Sequence, residues 1–335
     1  MVVQSMTKTD TRDAMATVNQ IRRLEQHGCQ IVRVAVPDGE AAAAIATIKP
    51  LTSIPLIADI HFDYRLGILA IEGGADGLRI NPGNMNDPQH VTALVLAAKE
   101  KQVPIRIGLN AGSLPATSDA GLSFPQRMVD ATLRYIDFFN RLDFDQIKVS
   151  LKAFDVPDTI EANRMIAERM PYPIHLGITE AGTPRRGMIR SAVGIGILLS
   201  EGIGDTIRVS LTGDPCEEVY AGYEILKSLN LSRRGPTLIS CPTCGRTEVD
   251  VVALANAVEQ RLALIDKSLT VAVMGCVVNG PGEARMADVG IACGNGRGVI
   301  FCRGVQVRTV VESQFLDALM EEIEKFEIDR LDTGG

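Results

Sequence analysis

Short apolar runs with a two-residue alternation recur through the first two thirds of the chain, separated by stretches of helical period. In Ile31-Val32-Arg33-Val34-Ala35-Val36, the valines fall on one face and Ile31, Arg33 and Ala35 on the other. The same alternation sets Leu78 and Ile80 against Arg79 and Asn81, and Ile105, Ile107 and Leu109 against Arg106, Gly108 and Asn110. Further on, Ile147, Val149 and Leu151 alternate with Lys148, Ser150 and Lys152, and Ile174, Leu176 and Ile178 with His175, Gly177 and Thr179. Last come Ile207, Val209 and Leu211 against Arg208, Ser210 and Thr212. A period of two is the strand signature. With two further apolar runs, the pattern predicts eight strands over 2–6, 30–36, 56–60, 77–81, 105–109, 146–151, 174–178 and 206–211.

Helical patterns lie between them at 10–27, 64–73, 88–101, 125–139, 157–170 and 188–201, and the alanine-rich stretch 41–48 reads as a soluble helix. Eightfold strand–helix alternation predicts an α/β fold, a (β/α)8 TIM-type barrel, over residues 1–230, with 215–229 as its last helix. A doubly wound open sheet is the alternative, but it would normally carry Gly-x-Gly-x-x-Gly after its first strand, and none stands there. Leu231-Ser232-Arg233-Arg234-Gly235-Pro236 reads as a linker or hinge. Residues 237–335 then form a smaller α/β domain: a strand into Cys241, a helix at 248–265, a strand at 270–274, a hairpin around Gly304 and a closing helix at 313–326.

The apolar strand faces pack on the helices, so the polar faces turn into the barrel. Barrel interiors are normally filled by Val, Ile and Leu. Here Arg33, Arg79, Arg106, Lys148, Lys152 and Arg208 point inward. An unpaired buried charge costs several kcal/mol, and Asp59, with His61 beyond it, and Glu180 offset only part. One reading is a solvated barrel with internal ion pairs. The other is a pocket for a small, multiply charged anion such as phosphate or diphosphate, whose oxygens match arginine forks. The loop 110–126 follows strand five at the functional face and is either a lid or a loose connection.

Composition narrows the partners. The 335 residues are 46% hydrophobic with no Trp, so the core is aliphatic. The net charge of −7, without a basic run, argues against nucleic acid. No apolar run approaches the roughly 18 residues that span a membrane. Seven cysteines without a secretory signal fit a reducing cytosol, so a cytoplasmic location is expected.

The sharpest chemistry lies in the second domain. Cys241-Pro242-Thr243-Cys244 brings two thiolates to one centre, and Cys276 follows 32 residues after Cys244, behind an apolar strand. Three cysteines are one short of a closed zinc or simple iron–sulfur site. Glu283, in a Gly/Pro-rich loop after Cys276, can supply an oxygen as the fourth ligand. A zinc ribbon would want a second Cys or His pair, and a thioredoxin-like pair has no use for Cys276. The pattern favours an iron–sulfur cluster with one labile position, with zinc still open. Cys29 and Cys216 are expected to be inert. Cys293 and Cys302 are expected to pack, a spare ligand role being left open.

These motifs together resemble the bacterial 4-hydroxy-3-methylbut-2-enyl diphosphate synthases. The residues that carry the resemblance are Val3-Gln4-Ser5-Met6-Thr7, Ala58-Asp59-Ile60-His61-Phe62, Arg79-Ile80-Asn81-Pro82-Gly83, Arg106-Ile107-Gly108-Leu109-Asn110 and His175–Gly182, with 241–246 and 275–283. One departure is visible: members usually carry a basic and polar segment before the first of these motifs, which would help close the bottom of the barrel. The resemblance implies reductive ring opening and dehydration of 2-C-methyl-D-erythritol 2,4-cyclodiphosphate, with electrons from reduced flavodoxin or ferredoxin. It implies a [4Fe–4S] cluster on Cys241, Cys244, Cys276 and Glu283. It implies a substrate pocket of Arg33, Asp59, His61, Arg79, Asn81, Arg106, Asn110, Lys152, Arg208 and Ser210, with Glu180 in proton transfer. The rival from another class is a non-catalytic anion-binding barrel with a zinc-stapled domain. The short linker further predicts a homodimer whose active sites form between chains, since the last barrel helix carries the chain away from the mouth.

Overall fold

Alternation and capping build the first of two units, Met1–Leu231 and Ser232–Gly335, into which the chain divides. The computed structural model describes residues 1–81, 83–85, 87–110, 112, 114, 121–263 and 265–327. The strands of the first unit are β1 (Val2–Met6), β2 (Ile31–Ala35), β3 (Leu56–Ile60), β4 (Gly77–Ile80), β5 (Ile105–Asn110), β6 (Ile147–Lys152), β7 (His175–Leu176) and β8 (Thr206–Ile207). They pair in the order β6-β5-β4-β3-β2-β1-β8-β7, and a parallel bridge from Val149 to Ile174 joins β6 to β7. The result is a parallel eight-stranded TIM-type barrel, as the alternation predicts.

β7 and β8 have two residues each, fewer than expected. The chain keeps its course beyond them: the Arg208 amide still donates to Leu176 O at 3.0 Å and Thr179 to Ala153 O at 3.2 Å. The inward face therefore continues past the regular ladder.

Among the described residues, eight α-helices surround the strands: α1 (Ala14–Gln26), α2 (Gly39–Ile48), α3 (Tyr64–Glu72), α4 (Pro88–Lys101), α5 (Phe124–Asn140), α6 (Val156–Ala167), α7 (Pro184–Ser200) and α8 (Pro215–Ser228). The side chains of Asp13, Asp38, Asp63, Asp87, Ser123, Asp155 and Asp214 cap seven of them by accepting from first-turn amides. α7 starts four residues before its expected start because Pro184 occupies the first turn, where a missing N–H costs nothing. Val32, Val34, Leu78, Ile80, Ile105, Ile107, Val149 and Leu151 are buried behind these helices. Each such side chain contributes roughly 1.5–3 kcal/mol. The loop 110–126, expected to be a lid or a loose connection, lies in large part outside the described residues.

The second unit is a five-stranded mixed sheet of β9 (Thr237–Ser240), β10 (Thr270–Met274), β11 (Val289–Gly294), β12 (Arg297–Cys302) and β13 (Val305–Val311), in the order β13-β12-β11-β10-β9. β9, β10 and β11 run parallel, and β12 and β13 are added antiparallel. Asn295-Gly296 and Arg303-Gly304, all with positive φ, make the two tight turns. Helices α9 (Val251–Leu262), α10 (Gly280–Met286) and α11 (Phe315–Lys325) complete it. β11 escapes a search for alternation because all six residues are buried. Among the described residues no helix is long and apolar enough to cross a membrane.

Candidate active site

Asp59 is the hub of the barrel interior. Its Oδ1 lies 3.0 Å from Nη1 of Arg79, and its Oδ2 lies 3.6 Å from Nε of Arg33 and 3.4 Å from Nε2 of His61. Burial alone would raise this carboxyl, but Arg33, His61 and Arg79 outweigh it and hold it well below the usual range. Arg79 also donates from Nη2 to Gly108 O at 3.1 Å. Arg33 reaches the Met6 sulfur at 3.0 Å, and desolvation pushes its guanidinium down to about 10 despite Asp59.

The second counter-charge is one that strand alternation could not reveal. Glu180, expected to offset inward cations, is exposed at the end of the β7 segment. The balancing carboxylate is Glu218, wholly buried in the first turn of α8. It accepts from Arg208 Nη2 at 3.1 Å and Nε at 3.2 Å, from Ser5 Oγ at 3.1 Å and from the Leu211 amide at 3.1 Å, with Lys8 Nζ at 3.3 Å. Among the described residues, Asp59 and Glu218 are the only buried carboxylates.

They do not balance the whole cluster. Arg106 donates to Gln4 Oε1 at 3.3 Å, its Nε has no partner, and burial followed by Arg33 and Arg79 depresses its pKa strongly. Lys152 is buried, and desolvation followed by Arg106 and Arg208 lowers its ammonium well below the ordinary value. Lys148 is lowered by burial and by Arg106. His175 sits among these groups, 1% exposed, with Nδ1 2.7 Å from Thr206 Oγ1 and Nε2 without a partner. Burial and Lys152, then Arg106, press it far toward the neutral form. The interior is an electropositive well in low dielectric, where an anion would be met by preorganised donors.

The remaining expected residues stand around the mouth, at the C-terminal ends of the strands. His61 is half-exposed above Asp59, with its Nδ1 3.5 Å from Asn84 Nδ2. Asn81 accepts from the Gly83 amide at 3.1 Å and so shapes the loop after β4. Asn110 ends β5, and Ser210 lies two residues past Arg208, both half-buried. Glu180 has φ of 53°, a left-handed conformation uncommon outside glycine and concentrated at functional positions.

In the second unit, Cys241 directly follows β9 and Cys276 follows the adjacent parallel strand β10, so both stand at the same edge of the sheet. Thr243, with φ of 63°, turns the chain between Cys241 and Cys244, and the Cys244 amide donates to Thr247 Oγ1 at 3.0 Å. Cys244 is exposed and Cys241 half-buried. The amides of Asn279 and Val278, then Gly280 and the Arg246 side chain, hold the Cys276 thiol below its ordinary pKa, the condition for a thiolate ligand. Glu283 lies in the short helix α10 rather than in the loop expected from its Gly and Pro neighbours, because Pro281 tolerates a first-turn position. Among the described residues no three His, Cys, Asp or Glu side chains gather as a single-ion site. The donor set at this edge, three thiols and an exposed carboxylate, fits an iron–sulfur cluster in its chemistry. Cys29, Cys216, Cys293 and Cys302 have raised pKa values, burial being the first cause in each.

Comparison with known proteins agrees with this architecture. The family model described as the GcpE TIM-barrel domain matches residues 1–223, and that of the GcpE protein C-terminal domain matches residues 237–325. A relative from Dehalococcoides mccartyi, "4-hydroxy-3-methylbut-2-en-1-yl diphosphate synthase (flavodoxin)", is 60% identical over 321 residues, 96% of this chain and 92% of the relative. One of the same name from Geobacter sulfurreducens is 57% identical over 325 residues, with the same coverage of 96% and 92%. Among solved structures, a Yersinia pestis dihydropteroate synthase is similar in fold alone, with a TM-score of 0.51 and 12% identity over 68% of this chain and 93% of that one.

Proposed function

The chain belongs to the GcpE family of 4-hydroxy-3-methylbut-2-en-1-yl diphosphate synthases, and from that premise we propose how its residues divide the reaction. It is an enzyme of isoprenoid biosynthesis by the methylerythritol phosphate route. It opens the ring of 2-C-methyl-D-erythritol 2,4-cyclodiphosphate, taking up two electrons and two protons and releasing water, to give 4-hydroxy-3-methylbut-2-enyl diphosphate. The rival reading, a non-catalytic barrel with a zinc staple, finds no support in relatives that carry the name of a synthase.

Arg33, Arg79, Arg106, Lys152 and Arg208 bind the cyclic diphosphate, with Asp59, His61, Asn81, Asn110 and Ser210 arranged about them. One observation carries this reading: cations outnumber the two buried carboxylates inside the barrel. The diphosphate supplies the missing negative charge. As the ring C–O bond breaks, charge grows on the diphosphate oxygen, and these cations meet it without reorganising. Glu180, at the mouth and in a strained backbone conformation, moves a proton at the substrate hydroxyl.

Cys241, Cys244, Cys276 and Glu283 hold a [4Fe–4S] cluster, which when bound supplies the two electrons one at a time. The donor is reduced flavodoxin, which the names of the relatives support, or a ferredoxin of similar potential. Residues 1–230 bind substrate, 231–236 act as a hinge and 237–335 carry the cluster, in a cytoplasmic homodimer whose active site forms between chains. The test is anaerobic purification. The protein should be brown, contain iron and acid-labile sulfide, and turn over the cyclic diphosphate with reduced flavodoxin. A colourless, zinc-containing protein without turnover would overturn the reading.

A further inference from the structure

Two glycines on inward strand faces stand where a barrel would ordinarily place a filling side chain: Gly108 on β5 and Gly177 just past β7. Neither has a positive φ, so backbone conformation does not require glycine at either position. Space does. A Cβ on Gly108 would lie 2.6 Å from Nε of Arg79, 3.4 Å from its Cγ and 3.3 Å from Ser150 Oγ. A Cβ on Gly177 would lie 2.5 Å from Nζ of Lys152, 3.2 Å from its Cε and 2.4 Å from the Arg208 carbonyl oxygen. In each case a cation lies flat against the strand, in the volume that a side chain would fill.

For Arg79 the arrangement is fixed at two points, with its third nitrogen against the glycine. Nη1 faces Asp59 at 3.0 Å, Nη2 donates to the carbonyl of Gly108 itself at 3.1 Å, and Nε lies over the glycine without a hydrogen-bond partner. A methyl group at position 108 would push the guanidinium off this wall and break the alignment of all three nitrogens. For Lys152 the crowding at position 177 includes backbone, so a larger residue there disturbs the β8 segment as well.

We propose that Gly108 and Gly177 are positioning residues of the anion pocket, their missing side chains forming the slots in which Arg79 and Lys152 lie. The barrel centre is thereby left open, and a diphosphate meets cations laid along the wall rather than side chains crossing the lumen. This rests on the reading of Arg79 and Lys152 as substrate ligands.

Gly108 gives the cleaner test, because only side-chain atoms are nearest to its Cβ position. Binding of the cyclic diphosphate is measured by calorimetry on the oxidised holoenzyme, which does not turn over. Gly108→Ala should weaken binding about tenfold or more, the scale of one charged hydrogen bond. In an Arg79→Ala background the same change should cost nothing further, since the residue acts through Arg79. Gly67→Ala is the control for packing: its Cβ would meet Leu94 Cδ1 at 2.6 Å, outside the barrel lumen. It should lower the melting temperature and leave affinity unchanged. If Gly108→Ala does not fold, adding Arg79→Lys, which keeps a positive charge opposite Asp59 but removes the guanidinium Nε that the methyl would meet, should restore folding, and no restoration would overturn the slot. Failure of Arg79→Ala to weaken binding would overturn the pocket reading itself. Weakening by Arg79→Ala with none from Gly108→Ala, or an additive loss in the double variant, would overturn the slot and leave the pocket reading standing.

Discussion

The carboxylate of Asp59 lies 3.0 Å from the guanidinium of Arg79, and both side chains are almost wholly buried. The same carboxylate faces Arg33 and His61, so three positive or hydrogen-bonding groups depend on it. Removing one partner of a buried pair leaves the other charge uncompensated, at a cost of about 3–5 kcal/mol. Asp59→Asn should therefore destabilise the barrel by that order, read from denaturant unfolding. Pyrophosphate should stabilise the variant more than the wild type, because it replaces the lost charge. Equal stability without ligand would show that the hub is not an electrostatic one.

The inward cations should each carry part of the affinity. Arg33→Ala, Arg79→Ala, Arg106→Ala and Lys152→Ala should weaken cyclic diphosphate binding by about 1.5–3 kcal/mol each, with iron content unchanged. Unaltered affinity across all four would mean that the anion binds elsewhere.

Those cations were legible because a period of two is rigid: once Val32, Val34 and Val36 face the helices, Arg33 must face inward. Glu218 was not legible. In sequence it is one of two glutamates in a helix first turn, a position that any helix dipole favours. Its reach to Ser5, 213 residues away, is a product of barrel closure. α10 was hidden by its two glycines and proline, and β11 by burial on both faces. Residue types at a known spacing thus announce chemistry, whereas the groups that balance and aim them are set by tertiary closure.

His175 should make stability depend on pH. Burial, and after it the charges of Lys152, Arg106, Arg33 and Lys148, keep its pKa well below the ordinary 6.5. As pH falls below about 6.5, the unfolded chain takes up a proton that the folded chain refuses. Stability should then drop by up to about 1.4 kcal/mol per pH unit until the depressed folded pKa is reached. His175→Gln removes this contribution, so its urea midpoint should fall less than that of wild type between about pH 7.5 and about 5.5. Parallel curves would show that His175 titrates normally.

The ligand assignment makes a separable prediction. Cys241→Ser, Cys244→Ser and Cys276→Ser should each lose the cluster and activity, while Cys29→Ser and Cys216→Ser keep both. Glu283→Ala should give a cluster that loses iron readily in air. Full iron content in Cys276→Ser, or an unchanged spectrum and turnover in Glu283→Ala, would require a different ligand at that position.

The last prediction concerns which barrel each cluster serves. The groups proposed to bind substrate open at the C-terminal ends of the strands, where Glu180, Asn110 and Ser210 stand. α8 begins just past that end and has 14 residues, so it carries the chain back about 21 Å at about 1.5 Å per residue. The linker 231–236 can span at most about 20 Å when fully extended. For a chain to serve its own mouth, the linker and the second unit together would have to retrace the length of α8 and skirt the helical shell. If Arg33, Arg79 and Arg106 hold the substrate as proposed, electrons would reach it where two chains pair head to tail, each cluster unit capping the other's barrel about a two-fold axis. Complementation reads this directly. Arg106→Ala and Cys276→Ser are mixed at a substrate concentration too low for Arg106→Ala alone to turn over, and allowed to exchange subunits. In a mixed dimer one site then joins an intact barrel to an intact cluster, and up to half the wild-type activity per dimer should return. No recovery despite demonstrated exchange would mean that each chain completes its own site.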